Sequence, residues 1–397
     1  IRLSLVGSEM CIRDSGMSGN LLGKGLLALR ALATRRVTID CDRMPFVFDN
    51  VPVRKILNWI LVEASISIKP EIPWGWPTHV QVEPTNTCNL RCVLCPVTEG
   101  LHRPGKHMEL PVFQKIIDEL GQHLFIILLW DWGEPFLNPS VYDMIAYAKA
   151  RQIGVISSTN GHVFATRHNA ERLVLSGIDY IIVAVDGLTQ ATYEQYRQGG
   201  NLETVVSGVR NIVETRERLG SSTPLVDLRF IVMKHNEHEI PLLQDFSRSL
   251  GADALTLRAL CTYDDGEYCV TQADGSAFVP TNPTYHPFKL DPRTTSRIRR
   301  QVNPCKVLWN NPAIHSDGKV FACTFDPHGQ SALGDLKHSR FSDIWWGRAF
   351  GQLRRQFRRE YQALALCRDC TYAFEGGAMG EERDREAFFF NTGMGDS

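Results

Sequence analysis

Three cysteines fall within eight residues in Cys88-Asn89-Leu90-Arg91-Cys92-Val93-Leu94-Cys95. A structural zinc site is closed by four ligands, and its cysteines usually come as two C-x-x-C knuckles. Thiolates at i, i+4 and i+7 on one compact loop instead suit a cubane: each grips one iron, and the fourth iron keeps no protein ligand. An iron with an open position next to an electron source is a reaction centre, not a staple.

A second set lies near the C-terminus, where Cys305, Cys323 and the pair Cys367-Arg368-Asp369-Cys370 supply four thiolates. Four close a site completely. Zinc and a [4Fe–4S] cluster both accept four cysteines, and spacing alone does not choose between them. Cys261 and Cys269 flank an acidic loop, TYDDGEY, and read as plain loop thiols before a redox pair or alternative ligands; Cys41 reads as a small apolar residue. The twelve histidines show no metal-ligand spacing, and His235 and His238 read as the start of a helix.

The elements that must position the first thiols begin at Thr78. Apolar runs at 78–85, 125–133, 154–161, 180–187, 225–233 and 254–260 alternate with helical patterns, among them PVFQKIIDELGQH, PSVYDMIAYAKARQ with Asn138 as cap, RHNAERLVLSG, LETVVSGVRNIVETRERLG and HEIPLLQDFSRSLG. Six β-then-α units predict a parallel sheet with helices outside, open or barrel-like. Ligands then lie at the carboxyl ends of the strands. The chemically unusual residues do follow the apolar runs: the three cysteines after the first, Gly133-Glu134-Pro135 after the second, Ser158-Thr159-Asn160-Gly161 after the third and Asp186-Gly187 after the fourth.

On those residues the chain resembles the radical S-adenosylmethionine (SAM) superfamily, whose signature is C-x3-C-x2-C. The resemblance implies an α/β fold, a partial (βα)6 TIM-like barrel. It also implies a [4Fe–4S] cluster on Cys88, Cys92 and Cys95 whose open iron chelates the amino and carboxylate groups of SAM. Reductive cleavage then gives methionine and a 5′-deoxyadenosyl radical that takes hydrogen from substrate. Gly133-Glu134-Pro135 matches the family's GEP element, which takes the methionine ammonium, and Ser158, Thr159 and Asn160 stand where polar groups meet ribose or the methionyl moiety. Asp186-Gly187 followed by Tyr193-x3-Arg197 resembles the family's DG…Y…R segment. That makes Arg197 the candidate for the SAM carboxylate, since a guanidinium suits bidentate carboxylate recognition. Leu94 departs from the aromatic residue common before the third cysteine.

The run from Cys305 to Cys370, with Gly318-x4-Cys323 and a terminal C-x-x-C, resembles the SPASM-type extension of many radical SAM enzymes. Full SPASM domains carry seven cysteines and two auxiliary clusters; the shorter set here implies one auxiliary [4Fe–4S] cluster in a small C-terminal iron–sulfur module. The resemblance further implies a flavodoxin- or ferredoxin-like electron donor and a peptide or small-molecule substrate, with peptide maturation slightly favoured. Asp264, Asp265, Glu267 and Tyr268 are the polar residues to test first for catalysis.

The bulk properties bound this reading. With 43 basic and 44 acidic residues, no overall field attracts a polyanion, which argues against nucleic acid as partner. No apolar window is long enough for a membrane span. Eleven cysteines in a chain of 397 residues fit a reducing cytoplasm better than a small secreted disulfide scaffold. The expected organisation is a non-native leader over 1–15, which begins without Met and includes Cys11, a helical extension over 16–77 that serves as a possible leader-peptide binder, the barrel over 78–260, a linker over 261–302 and the auxiliary module over 303–397.

Overall fold

The computed structural model describes residues 21–261, 275–294, 296–377 and 383–390. Asp264, Asp265, Glu267, Tyr268, Cys269 and Cys11 lie outside the described residues. The expected helical extension holds two helices, Leu21–Thr34 and Val53–Ile68, and between them an antiparallel hairpin, β1 (Val37–Cys41) and β2 (Met44–Phe48), that the sequence reading did not anticipate. Its alternation of buried and half-buried residues in VTIDC is the period-2 mark of a strand, but it is only five residues long.

The six apolar runs form six parallel strands: β3 (His79–Val82), β4 (Ile126–Leu128), β5 (Gly154–Thr159), β6 (Tyr180–Ala184), β7 (Leu225–Val232) and β8 (Ala254–Ala259). β3 and β4 are shorter than their apolar runs because the chain leaves the ladder early to build rim loops. The expected helices follow at Leu110–Leu120, Val141–Lys149, Arg167–Leu175, Leu202–Arg218 and Leu243–Ser249. Asn138 does not cap the second of these; Ser140 holds the N-cap position, and Asn138 accepts the Ser140 N–H at 2.9 Å.

Beyond the six strands the sheet continues. β9 (Ala313–Ile314) adds parallel to β3, followed by β10 (Lys319–Phe321) and β11 (Gly334–Asp335), while β12 (Asp384–Phe389) pairs antiparallel with β8. The order is β11-β10-β9-β3-β4-β5-β6-β7-β8-β12, so the sheet is open: β3 and β8 do not pair among the described residues. The residues around Cys305 and Cys323 thus sit on the edge of the barrel sheet itself. Three indoles tie that region down: Trp309, Trp345 and Trp346 donate to the carbonyls of Pro70, Gly75 and Pro73 at 2.7, 3.0 and 2.8 Å.

Two cores lie on the two faces of the sheet. Ile127, Val155, Ile181, Leu228 and Leu255 pack under the helices, as buried parallel strands require. On the opposite face, Ile126, Ile156, Tyr180, Ile182 and Ala254 pack against the hairpin residues Val37, Ile39, Met44 and Phe46. The hairpin fits closely, since a Cβ on Gly154 would stand 2.7 Å from the Phe46 ring. At its turn Asp42 accepts from Arg229 at 2.8 Å and from Arg258 at 2.7 Å, and these arginines also pair with Asp227 and Asp384. Burial alone would raise the Asp42 carboxyl, but the two guanidiniums hold it down at about 2.

Candidate active site and metal centres

The cysteine loop leaves β3 and is pinned from two sides. Arg91 and Val93 donate their N–H groups to Gln198 and Tyr196 at 2.9 and 3.1 Å, which fixes the loop to the end of the helix Gln190–Tyr196 after β6. From β4, Glu134 donates its N–H to Thr87 at 2.8 Å. Gly133 makes that approach possible: its φ is +125°, and a Cβ there would lie 2.4 Å from the Thr85 carbonyl oxygen. Only glycine meets both conditions without strain.

The three thiols sit in an apolar collar of Leu90, Leu94, Tyr196, Met233 and Leu260. Burial pushes the Cys95 thiol up to about 12, with Cys92 adding to the effect, and burial raises Cys88 as well. Taking up a metal there must therefore release protons. Polar hydrogens already point at the sulfurs: Asn160 Nδ2 lies 3.8 Å from Cys88 Sγ, Leu90 N lies 3.5 Å from the same atom, and Arg197 Nη1 lies 3.7 Å from Cys92 Sγ. Such donors stabilise thiolate charge.

Glu134 is buried and ties β4 to β5. It accepts from Thr159 Oγ1 and Asn160 N, both at 2.8 Å, and from Phe136 N at 3.3 Å. Burial outweighs these bonds and raises its carboxyl to about 7. Ser158, beside Thr159 on β5, is half-buried, and its hydroxyl meets no hydrogen-bond partner among the described residues. Asn160 also donates to Asn89 at 2.8 Å, which links the third strand end directly to the cysteine loop.

Asp186, fully buried after β6, receives Arg197 Nε at 2.6 Å and Ile231 N at 2.7 Å. The resemblance aimed Arg197 at a carboxylate of SAM; in the structure its Nε edge is already engaged by Asp186, and its Nη1 faces Cys92. Tyr193 packs fully buried with no partner for its hydroxyl. His162, absent from the sequence reading, bridges the β5 rim to the helix Leu202–Arg218: Nε2 accepts from Asn201 N at 2.9 Å, and Nδ1 lies 3.0 Å from Asn160 Oδ1. The signal for it was weak, a single histidine two residues beyond Asn160.

Cys305 and Cys323 are buried, and Cys367 and Cys370 are half-buried. Burial raises Cys323 and Cys367, and each of the two is further raised by Cys305 and Cys370 nearby. Burial likewise takes Cys370 up to about 12, with Cys305 and also Cys261 close enough to contribute. None of the described cysteines is in a disulfide.

Among the described residues, the three-member sets of Cys, His, Asp and Glu whose ligand atoms all fall within 4.8 Å of one another include no cysteine.

An open parallel barrel that carries three thiols on one loop after its first strand, with four further buried or half-buried thiols in the segment that follows the barrel, is the framework of an iron–sulfur enzyme. The chain carries a radical SAM domain and a SPASM domain: the radical SAM superfamily's model matches residues 82–241, and that of the SPASM iron–sulfur cluster-binding domain matches residues 305–371. It is 26% identical over 324 residues to the mycofactocin maturase MftC of Mycobacterium ulcerans, covering 76% of this chain and 83% of that protein. It is 28% identical over 324 residues to the tungsten-containing aldehyde ferredoxin oxidoreductase cofactor-modifying protein of Pyrococcus furiosus, covering 74% of this chain and 87% of that one. The crystal structure of Streptococcus suis SuiB bound to S-adenosylmethionine shares the fold, with a TM-score of 0.56 at 14% identity over 88% of this chain and 81% of that chain. The protein is thus a radical SAM enzyme with a SAM-binding [4Fe–4S] cluster and an auxiliary iron–sulfur module. No helix among the described residues is long and apolar enough to cross a membrane.

Proposed function

We propose that the enzyme matures a peptide or protein substrate, with the radical-generating cluster on Cys88, Cys92 and Cys95 and a single auxiliary [4Fe–4S] cluster on Cys305, Cys323, Cys367 and Cys370. With cluster and SAM bound, one electron cleaves the sulfonium and supplies a 5′-deoxyadenosyl radical for hydrogen abstraction. The observation that carries the site reading is the convergence of four strand ends on one loop: Glu134, Asn160 and Arg197 each touch the cysteine segment.

In this reading the residues divide the work. Gly133, Glu134 and Pro135 present backbone to the methionyl end of SAM, while the Glu134 carboxylate holds Thr159 and Asn160 in place. Ser158, with its hydroxyl unspent, is the polar contact for the ribose or methionyl part. Arg197, oriented by Asp186, lends positive charge to the Cys92 side of the cluster and a remaining guanidinium edge to the SAM carboxylate. The apolar collar keeps water from the thiolates. A flavodoxin- or ferredoxin-like donor in the cytoplasm supplies the electron.

Similarity to a mycofactocin maturase along most of both chains supports a peptide substrate. Similarity of the same extent to a cofactor-modifying protein supports a small-molecule substrate as the second reading. Anaerobic reconstitution followed by dithionite and SAM is expected to yield 5′-deoxyadenosine; a protein loaded with iron at both sites that yields none overturns the assignment. Short peptides encoded beside the gene, tested for a mass change that depends on SAM, separate the two substrate classes.

A further inference from the structure

Where the barrel rim meets β9, three side chains form a cluster that the cofactor sites do not use. Glu83 directly follows β3, Asp131 lies just beyond β4, and His315 directly follows β9. These three strands are parallel neighbours, so the residues after them meet at one rim. The ligand atoms of the three all lie within 4.8 Å of one another. The cluster is closed off from solvent: Glu83 is fully buried, and the side chains of His315 and Asp131 are 1% and 3% exposed.

Its polar atoms are left unsatisfied. Neither His315 nitrogen makes a hydrogen bond, and neither does Asp131 Oδ2. Each such atom is costly to leave unpaired when buried, and three together demand a partner. They do not satisfy one another, since His315 Nε2 stands 3.7 Å from Asp131 Oδ2. Phe321 stacks on the imidazole at 4.0 Å, so the ring can be met only at its edge. Thr324 donates to Asp131 Oδ1, which leaves Oδ2 facing inward.

Charge points the same way. Arg103 pairs with Glu83, but one guanidinium faces Glu83 and Asp131 together, with Asp326 close enough to act on Asp131. Burial holds the imidazole neutral, its pKa down to about 4, so His315 offers a lone pair and no compensating charge. Glu83 Oε1 accepts from Arg103 and from Ser316 N, and Oε2 from Arg103. A carboxylate has about four acceptor positions, so one remains.

We propose that Glu83, Asp131 and His315 bind one divalent transition-metal ion, separate from both iron–sulfur sites, that clamps β9 and the auxiliary module to the barrel rim. A mixed imidazole and carboxylate set suits zinc, ferrous iron or manganese; magnesium and calcium take oxygen ligands. The ion sits beside the auxiliary centre, because Thr324, which donates to Asp131, is the residue after Cys323.

The test uses the reconstituted holoprotein, washed with chelator and titrated with Mn2+ alone while electron paramagnetic resonance follows free and bound ion. One saturable site per chain is expected, with nitrogen modulation of the bound Mn2+ signal from the imidazole. Partners outside the ligand shell are already worth about 10- to 100-fold in metal affinity, so His315→Gln and Asp131→Asn should each weaken binding at least that much while iron content stays unchanged. No saturable site, or equal affinity in wild type and both variants, overturns the proposal and leaves an adventitious ion only. Should a variant lose its iron, the nitrogen coupling in the unmutated protein decides, because His315 is the one nitrogen donor of the three. Loss of 5′-deoxyadenosine formation would not bear on this site, nor would an empty ion site bear on the radical chemistry.

Discussion

Gly133 is where the geometry of the radical-generating site is most exposed to a single methyl group. An alanine there meets two penalties. The first is conformational: φ of +125° lies outside what an L residue adopts freely, and holding a non-glycine residue in such a region costs about 1–3 kcal/mol. The second is steric, because the new Cβ would lie 2.4 Å from the Thr85 carbonyl oxygen and 2.9 Å from that of Thr87. Overpacking of this kind costs about 1–3 kcal/mol where the neighbour can yield, and here both neighbours are backbone of the cysteine segment. The sum is about 2–6 kcal/mol. Gly199 supplies the control: its φ is +77°, and nothing lies within 4 Å of its would-be Cβ, so Gly199→Ala carries the conformational part alone, about 1–3 kcal/mol. Thermal unfolding of the two cluster-free variants isolates the steric part. In the reconstituted proteins, Gly133→Ala should bind SAM at least about tenfold more weakly, the equivalent of 1.4 kcal/mol, while the auxiliary iron is retained. Equal melting temperatures and equal SAM affinities for the two variants would refute the claim that close approach at Gly133 sets the cysteine loop.

Replacing Cys88, Cys92 and Cys95 with Ala should lower bound iron from about eight to about four per chain, the content of one cubane, and abolish 5′-deoxyadenosine formation; stoichiometric zinc in that variant would reverse the auxiliary assignment. Glu134 predicts a pH dependence of the cluster-free protein. Its carboxyl rises from an ordinary 4.5 to about 7 on folding, so the native state holds more protons across that window and stability falls as pH rises through it, by up to about 3 kcal/mol; Glu134→Gln should flatten the slope, as denaturant titrations at several pH values will read. Asp42 has the opposite sign. Its carboxyl falls from 3.8 to about 2, so its contribution is complete above the ordinary value and is lost as pH drops towards 2. Asp42→Asn should cost about 2 kcal/mol at neutral pH, the equivalent of that shift, because Arg229 and Arg258 keep Asp227 and Asp384 as partners.

The barrel was legible in the sequence because each parallel strand, buried on both faces, reads as an uninterrupted apolar run, and because rim residues must follow such runs. That is why Cys88, Glu134, Asn160 and Asp186 stand directly after consecutive apolar runs. The hairpin over 37–48 was not legible: its strands are five residues each, Pro45 interrupts the second, and its partners are distant in sequence. β9, β10 and β11 escaped for the same reason, being two or three residues long and recognisable only by what they pair with. Glu83, Asp131 and His315 share no local spacing at all. They become neighbours only because β9, from beyond residue 310, inserts next to β3.

The hairpin also decides from which end the sheet's inner face can be used. Phe46 and Met44 fill the face at the level where β5 and β6 begin, and the Asp42 turn reaches Arg229 and Arg258, each the fifth residue of its strand. A buried ion network braces that turn, so withdrawing the hairpin would break the Asp42 pairs with Arg229 and Arg258, an expensive motion. The inner face is therefore closed from the amino ends of the strands, and the carboxyl ends, where the cysteine loop and β9 stand, are left as the approach. The segment after β9 borders that rim as well, because β9 extends the same sheet parallel to β3.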